Sequence, residues 1–296
     1  MFNVQRSTFN SQRPIFKTLG FAPILFGFIV RLSAQFTPAL LQNESYWGDG
    51  KAEFDLYDAQ IVREGQARHC EVLHIFAREM IEPKQSLSQL PAPLAVIRMN
   101  QIFNVPIGIG VQQQSLSLFW NRDGRLAQFS FVGADSIGNI YKTCANSPDA
   151  NAFLYRCHSY REGTTEQAID RPAGVAIFYD ELPLRIRTID FSKPTGEFEI
   201  QLAPAVINSK NDHLVFKPAT VSFKLGERAI AIDLKHDAGT DHFVLDRDFP
   251  FLLRDWQTAD GSRLKMKNSL KLDYRNYNKN GDRERALKDP MLRHPD

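Results

Sequence analysis

The chain lacks most of what would announce an activity. Beyond its first 34 residues no catalytic or cofactor motif stands above background, and no cofactor is implied. Long apolar runs are missing: the stretch Leu19 to Val30, bounded by Lys17 and Arg31, leaves about a dozen residues where a membrane helix needs about 20, so no stable span is expected. No helical period runs for three turns with caps at both ends, which argues against a helical fold. Charge of one sign is absent too. With 36 basic and 34 acidic residues interspersed along the chain, there is no basic face or stripe for a nucleic acid.

What is present begins at the amino terminus. Arg6, Arg13 and Lys17, with no acid among them, precede the apolar run, and Leu32-Ser33-Ala34 follows it. That order reads as a secretory signal peptide over residues 1–34 with a cut after Ala34, the alternative being an uncleaved anchor. No cysteine lies near the cut, which excludes a lipid attached at a new amino-terminal cysteine. The expected mature protein is exported, periplasmic or extracellular, and soluble. Removing the segment takes four basic residues and leaves 32 basic against 34 acidic, so the mature chain is faintly acidic.

Export makes disulfides available, and the chain has three cysteines. Cys144 and Cys157 bracket the turn-rich stretch Ala145-Asn146-Ser147-Pro148-Asp149, and a bridge between them would close a short loop. Cys70 is then left over in the apolar run Cys70 to Ala77 and reads as a buried thiol.

From Ala52 to Tyr274, short apolar alternations recur with turn chemistry between them. Leu116 to Trp120, then Asn121-Arg122-Asp123-Gly124, then Ala127 to Phe131 is the clearest hairpin, and Thr258-Ala259-Asp260-Gly261 repeats its turn. Further strands are predicted at Val96 to Val105, Leu154 to Tyr160, Val175 to Tyr179, Leu184 to Phe191, Glu197 to Leu202, Val221 to Leu225, Ala229 to His236 and Phe243 to Asp246. The predicted fold is mainly β with little helix: a curved antiparallel sheet or incompletely closed β-barrel built from sequential hairpins. Residues 35–274 read as a single β-rich domain, with possible subdivision near 143–151 or 162–174. Arg185, Arg187, Lys265 and Lys267 alternate with apolar neighbours and are expected on a solvent face. Residues 275–296 hold ten charges and two prolines with almost nothing apolar, and read as a disordered tail.

Trp47-Gly48-Asp49-Gly50-Lys51-Ala52-Glu53-Phe54, with Tyr57 and the Arg63-Glu64-Gly65 turn, resembles the start of a group of uncharacterised exported bacterial proteins. Tyr179 to Arg187 and Phe249 to Arg254, on through Asp260-Gly261 to Leu270, carry the same resemblance. Some relatives bear the label septum formation inhibitor, a nucleotide pyrophosphatase name, but the Ser-rich amino-terminal loop of that enzyme is missing here. The last block also resembles the closing strands of periplasmic lipoprotein-carrier-like β domains, which implies a curved sheet around an apolar cavity. Relatives carry a Trp-Cys-Gly element where this chain has Phe119-Trp120-Asn121.

Several clusters invite a chemical reading. Asp49 and Glu53 flank a Gly-Lys pair, but Asp-Gly there makes the turn into the first strand while Trp47 plugs one end of the sheet. His236, Asp237, Asp241 and His242 are the densest set of metal-ligand types, since a hairpin would bring the two imidazoles nearly opposite; the Asp and Gly of that turn have conformational reasons of their own. Ser136, in Ala134-Asp135-Ser136-Ile137-Gly138, follows a strand as a nucleophile elbow would, yet the required helix does not follow. Asp180 and Glu181 are adjacent carboxylates, which on a strand point to opposite faces and suit pairing with Arg185 or Arg187 better than glycoside cleavage. Trp120, Phe129, Phe131, Phe251 and Trp256, in the aromatic-rich hairpins, line a ligand cavity if they share a face, and otherwise pack a core. The functional expectation is an exported envelope protein, non-enzymatic, binding an apolar or lipid-like ligand or another envelope component. A secreted hydrolase using Ser136 or the His236/His242 turn, and a structural or assembly partner, are the alternatives.

Overall fold

Period-two alternation carries most of the chain into strands. The structure, a computed structural model, describes residues 35–87, 92–136, 138–147, 150–211 and 213–294. The expected signal segment, 1–34, lies outside the described residues. In chain order the strands are β1 (Ala52–Arg63), β2 (Gln66–Ile81), β3 (Leu94–Ile107), β4 (Gly110–Asn121), β5 (Leu126–Asp135), β6 (Gly138–Asn146), β7 (Ala152–Ser159) and β8 (Gly163–Asp170). They continue with β9 (Ala176–Phe178), β10 (Thr195–Ala203), β11 (Lys217–Leu225), β12 (Ala229–His236), β13 (Gly239–Asp246), β14 (Leu253–Gln257) and β15 (Arg263–Leu272).

All fifteen form one sheet in the order β8-β7-β6-β5-β4-β3-β2-β1-β15-β14-β13-β12-β11-β10-β9. Two meanders therefore meet where β1 pairs antiparallel with β15, from Ala52 opposite Leu272 to Gln60 opposite Arg263. The sheet is curved and does not close into a barrel, as the hairpin series predicts. Turn chemistry sets the register at the tightest bends. Arg63 pairs with Gln66, and the two residues between them, Glu64 and Gly65, both take positive φ (53° and 72°), which the two-residue hairpin requires. Both spans of possible subdivision reach into this sheet: 143–146 ends β6, and 162–174 contains the edge strand β8.

The concave side is filled by the chain's own crossover. To pass from β8 at one edge to β10 near the other, the chain runs through β9, which pairs parallel with β10, and then through a helical plug. The plug is α3 (Leu182–Arg185) with a 3-10 turn on each side, Tyr179–Glu181 and Ile186–Thr188. Leu182, Leu184, Ile186, Arg187, Thr188 and Ile189 are all buried. A strand was expected over Leu184 to Phe191 because Leu-Arg-Ile-Arg alternates. Pro183 in the first turn of a helix accounts for the difference, since its fixed φ suits that position and its missing N–H costs nothing there. Arg185 and Arg187 accordingly point into the molecule, not to solvent, whereas Lys265 and Lys267 are exposed as expected.

Around the plug, Phe178 meets Phe129, Phe153 and Phe216 edge-on at 5.3, 5.1 and 5.3 Å between ring centres. Such pairs add about 0.5–1.5 kcal/mol each beyond the area they bury. The amino-terminal segment closes one end through two single-turn helices, α1 (Ala39–Gln42) and α2 (Glu44–Trp47). Trp47 is buried there and donates from its indole nitrogen to the Leu40 carbonyl at 2.7 Å.

Two further expectations fail. The residues read as a disordered tail return to the sheet: α4 (Asp282–Lys288) places Ala286 against Leu270 and Leu272, and Arg293 bridges to Leu270. No disulfide joins Cys144 to Cys157; both are buried thiols. Register is the reason. Cys144 lies opposite Tyr155 and Cys157 opposite Lys142, an offset of two residues. Diagonal neighbours of that kind stand about 7–8 Å apart, beyond the usual reach of the bridge. Cys70 is half-buried, and burial pushes its thiol up to about 11, away from reactivity.

Candidate functional site

Strand β1 sends Glu53, Asp55, Tyr57, Ala59 and Ile61 to the concave face, and Arg63 continues that series. The row begins at a sealed ionic centre and ends at a cavity.

At the sealed end Arg187 of the plug holds Glu53 through two bonds, Nη1 to Oε1 at 2.6 Å and Nη2 to Oε2 at 3.0 Å, both side chains fully out of solvent. Its Nε donates to the Pro250 carbonyl at 3.1 Å, and the Tyr46 hydroxyl donates to Glu53. Burial works to raise the Glu53 carboxyl, but the Arg187 charge and these hydrogen bonds outweigh it, so Glu53 sits below the ordinary carboxylate range. Asp55, one step along the row, is pushed well above that range by burial and by the Glu53 charge. One buried cation thus faces two carboxyls whose proton affinities are driven in opposite directions. His74, opposite Asp55 on β2, is held neutral by burial and by Arg187, its pKa lowered to about 3. Among the described residues Asp55 Oδ2, the Tyr57 hydroxyl and both His74 nitrogens have no hydrogen-bond partner. No solvent reaches this centre, and its chemistry is internal neutralisation.

At the other end lies a cavity of about 520 Å³ that opens to solvent. Ile61, Phe103, Leu202, Ile207, Trp256 and Leu264 give it an apolar wall. Its polar wall is fastened by Asp241, whose carboxylate is fully buried and accepts from the Tyr179 hydroxyl, the Ala259 backbone N–H at 2.8 Å, and the Trp256 indole at 3.4 Å. His236 completes the set with Nε2 3.2 Å from Asp241, while its Nδ1 accepts the Ala238 N–H at 3.3 Å. Both imidazole nitrogens are therefore committed, and the group ties the β12–β13 hairpin to the β14–β15 hairpin.

The remaining wall comes from Pro204, Ala205, Ile207, His213 and Val215, between β10 and β11. Asp180 accepts the Val206 N–H at 2.5 Å, Lys142 donates to the Val206 carbonyl at 2.9 Å, and Gln167 on edge strand β8 receives from Leu214 N and gives to Leu214 O at 3.0 and 2.8 Å. That amide imitates a strand pairing and bridges the open seam of the sheet. Asp180 is buried, which raises its carboxyl to about 6 even though the Val206 N–H favours ionisation.

The predicted site residues separate. Trp256 lines the cavity, and Phe251 lines a second hollow of about 470 Å³ beside Ile189, Phe191 and Phe249. Trp120, Phe129 and Phe131 are core, each 0–1 % exposed, because their strand positions face the plug; the Trp120 indole donates to Glu181 at 2.6 Å. The four residues weighed as metal ligands do not come together. His242 shares β13 with Asp241 but, as its immediate neighbour, points outward, opposite Asp233 on β12 and 2.7 Å from its carboxylate. Asp237 pairs with Lys217 at 2.6 Å, and no group of three or more metal-ligating side chains occurs among the described residues. Ser136 is exposed in the turn between β5 and β6. Asp180 and Glu181 sit on a 3-10 turn, both buried; neither pairs with Arg187, which is taken by Glu53, whereas the Arg185 charge favours the ionised form of Glu181, which also accepts the Phe178 N–H at 2.8 Å. Arg63, Gln101, Tyr179 and Ile207 were missed as cavity residues. Only Arg63 had a local signal: it continues the inward series of a strand that starts with Glu53.

No family model matches the sequence, and no curated protein matches it. Among solved structures, the chain is similar to a β-barrel-like protein of the domain of unknown function DUF1849 from Brucella abortus. The TM-score is 0.45 and the identity 11 %, over 75 % of this chain and 98 % of that one. No helix among the described residues is long and apolar enough to cross a membrane.

Proposed function

We propose that this is an exported, non-enzymatic binding protein that holds an apolar or lipid-like small molecule in the cavity at the Arg63 end of β1. The observation that carries the reading is the contrast within one concave face: the plug packs most of it solidly, and about 520 Å³ is left with a largely apolar wall and access to solvent. That volume lies in the range of small-molecule sites, about 300–1,000 Å³, and each CH₂ buried on such a wall contributes about 0.8 kcal/mol. The signal-like segment at residues 1–34 supports the exported location. A hydrolase is disfavoured by the site's chemistry, since His236 has both ring nitrogens engaged and Ser136 stands on a different hairpin.

The test is a titration of the purified mature chain with a fluorescent fatty acid, beside an Ala205→Trp variant that fills the cavity from its irregular wall. Saturable binding by the parent and at least a tenfold loss in the variant, with thermal unfolding unchanged, is the expected result. A parent that binds no probe and releases no lipid on denaturation sinks the proposal; equal binding by both chains moves the site elsewhere.

A further inference from the structure

We propose that the cavity selects single-chain amphiphiles with an anionic headgroup, a long-chain carboxylate above all, and that Arg63 holds that headgroup. The inference rests on the binding function just proposed and adds the ligand's chemistry to it.

Among the described residues, the cations and anions of the wall, taken one by one, leave Arg63 open; His213, the other basic residue without a partner there, is exposed to solvent. Lys217 is engaged by Asp237, 2.6 Å away. Asp241 accepts from Tyr179, Ala259 and Trp256, and Asp180 from the Val206 N–H. Asp260 accepts from the Thr258 hydroxyl and from the Ser262 N–H at 2.9 Å. Arg63 has no carboxylate within ion-pair distance among the described residues, and its one side-chain hydrogen bond, Nη1 to the carbonyl of Val62 at 3.2 Å, goes to its own strand. A guanidinium carries five N–H donors, so most of them are uncommitted on the cavity side. Burial already strips water from this group and lowers its pKa, with Asp260 and Asp180 opposing from beyond contact distance. A desolvated cation without a paired anion is costly, and a planar carboxylate offering two parallel acceptors relieves that cost better than water or a neutral hydroxyl does.

The wall also says how the rest of the molecule lies. Ile61 precedes Arg63 by two positions in the same series, and Phe103 and Leu264 continue the apolar surface. An acyl chain whose carboxylate meets Arg63 runs directly onto it. At about 520 Å³ the cavity is of small-molecule size, with room for a single acyl chain.

The experiment compares hexadecanoic acid, hexadecyl phosphate and hexadecanol on the purified mature chain and on Arg63→Met and Arg63→Lys, by displacement of a neutral fluorescent probe. We expect the acid to bind at least tenfold more tightly than the alcohol to the parent. Arg63→Met should lower the acid to the level of the alcohol while leaving the alcohol unchanged, and Arg63→Lys should restore part of the difference. Hexadecyl phosphate matching the acid assigns the site to anionic heads in general; a weaker phosphate assigns it to carboxylates, and both support the proposal. Equal affinity of the parent for acid and alcohol overturns it, as does a parallel loss of both ligands in a folded Arg63→Met. Either result leaves the binding function standing. If none of the three ligands binds the parent, that function fails with it. Should Arg63→Met not fold, the acid-to-alcohol ratio of the parent and the Arg63→Lys variant decide the question.

Discussion

Two arginines stand at opposite ends of the same inward row and differ in almost every respect that matters. Arg187 is wholly buried, clamped by both oxygens of Glu53 and by a backbone carbonyl. Arg63 is half-buried beside an open cavity and bonds only to the carbonyl next to it. A buried charge with a full complement of partners belongs to the architecture, since there is nothing left on it for a ligand to use. An under-partnered charge on a solvent-accessible wall has its chemistry still to be satisfied. That contrast separates scaffold from site in a molecule that buries several charged groups within an apolar core, where burial of a charged group alone would not.

The sharpest way to break this contrast is to remove the closed end. Arg187→Met leaves Glu53 ionisable and unpaired in a site with no solvent, and the expected loss is about 3–5 kcal/mol, read from the midpoint of a urea transition. Replacing both partners, Glu53→Leu with Arg187→Met, should recover most of it, because the uncompensated charge is then gone. A double variant as unstable as the single one would mean that the arginine acts through packing or through the Pro250 carbonyl instead of through the pair.

Asp180 and Glu53 also carry opposite pH dependence. Asp180, on the cavity side, titrates near 6 in the folded protein and near its ordinary 3.8 when unfolded. Its contribution is therefore complete below that ordinary value and is lost as pH rises through 6, by roughly 3 kcal/mol. Glu53 is shifted down instead, so its contribution is present above its ordinary value and disappears as pH falls through the lowered one. Asp180→Asn, which keeps an oxygen for the Val206 N–H, should reduce the fall in stability between pH 4 and 6, the raised Asp55 and Glu181 keeping the remainder, and leave the loss in stronger acid in place. A variant whose stability still falls across that interval as the parent's does would remove Asp180 from the account.

The sheet was legible because its strands obey a period of two and their turns announce themselves. β12 and β13 alternate buried and exposed along almost their whole length, and Asp123-Gly124 falls at the bend it predicts, with Gly124 at φ 87°. The same rule misled at the plug, where Leu184-Arg185-Ile186-Arg187 alternates without being a strand; burial on all sides gives a short helix no distinct polar face. The returning tail was hidden for another reason. Its anchor is Ala286 against Leu270 and Leu272, with a few half-buried neighbours, too little apolar content to register in composition. The cavity could not be read at all from local pattern, since Ile61, Phe103, Ile207 and Trp256 come from four separate segments and meet only because β1 pairs with β15. Aromatic content pointed to Trp120, Phe129 and Phe131, whose size suited them to the core instead.

The smallest expected effect sharpens the comparison most directly. Arg63→Met removes a cation that is desolvated without an ion pair, and the thioether can still cover Ile61 and the neighbouring wall. What is lost is one hydrogen bond to Val62 and a long-range attraction to Asp260 and Asp180, both modest for a half-buried group at a cavity that opens to solvent. The urea midpoint should therefore move by about 1 kcal/mol or less in either direction, against several for Arg187→Met under the same conditions. Two arginines on one face, one costly to remove and the other nearly neutral, is the pattern of a residue kept for the fold beside a residue kept for what enters the cavity. Comparable losses at the two positions would instead make Arg63 part of the scaffold, with its cation required for stability before any ligand arrives.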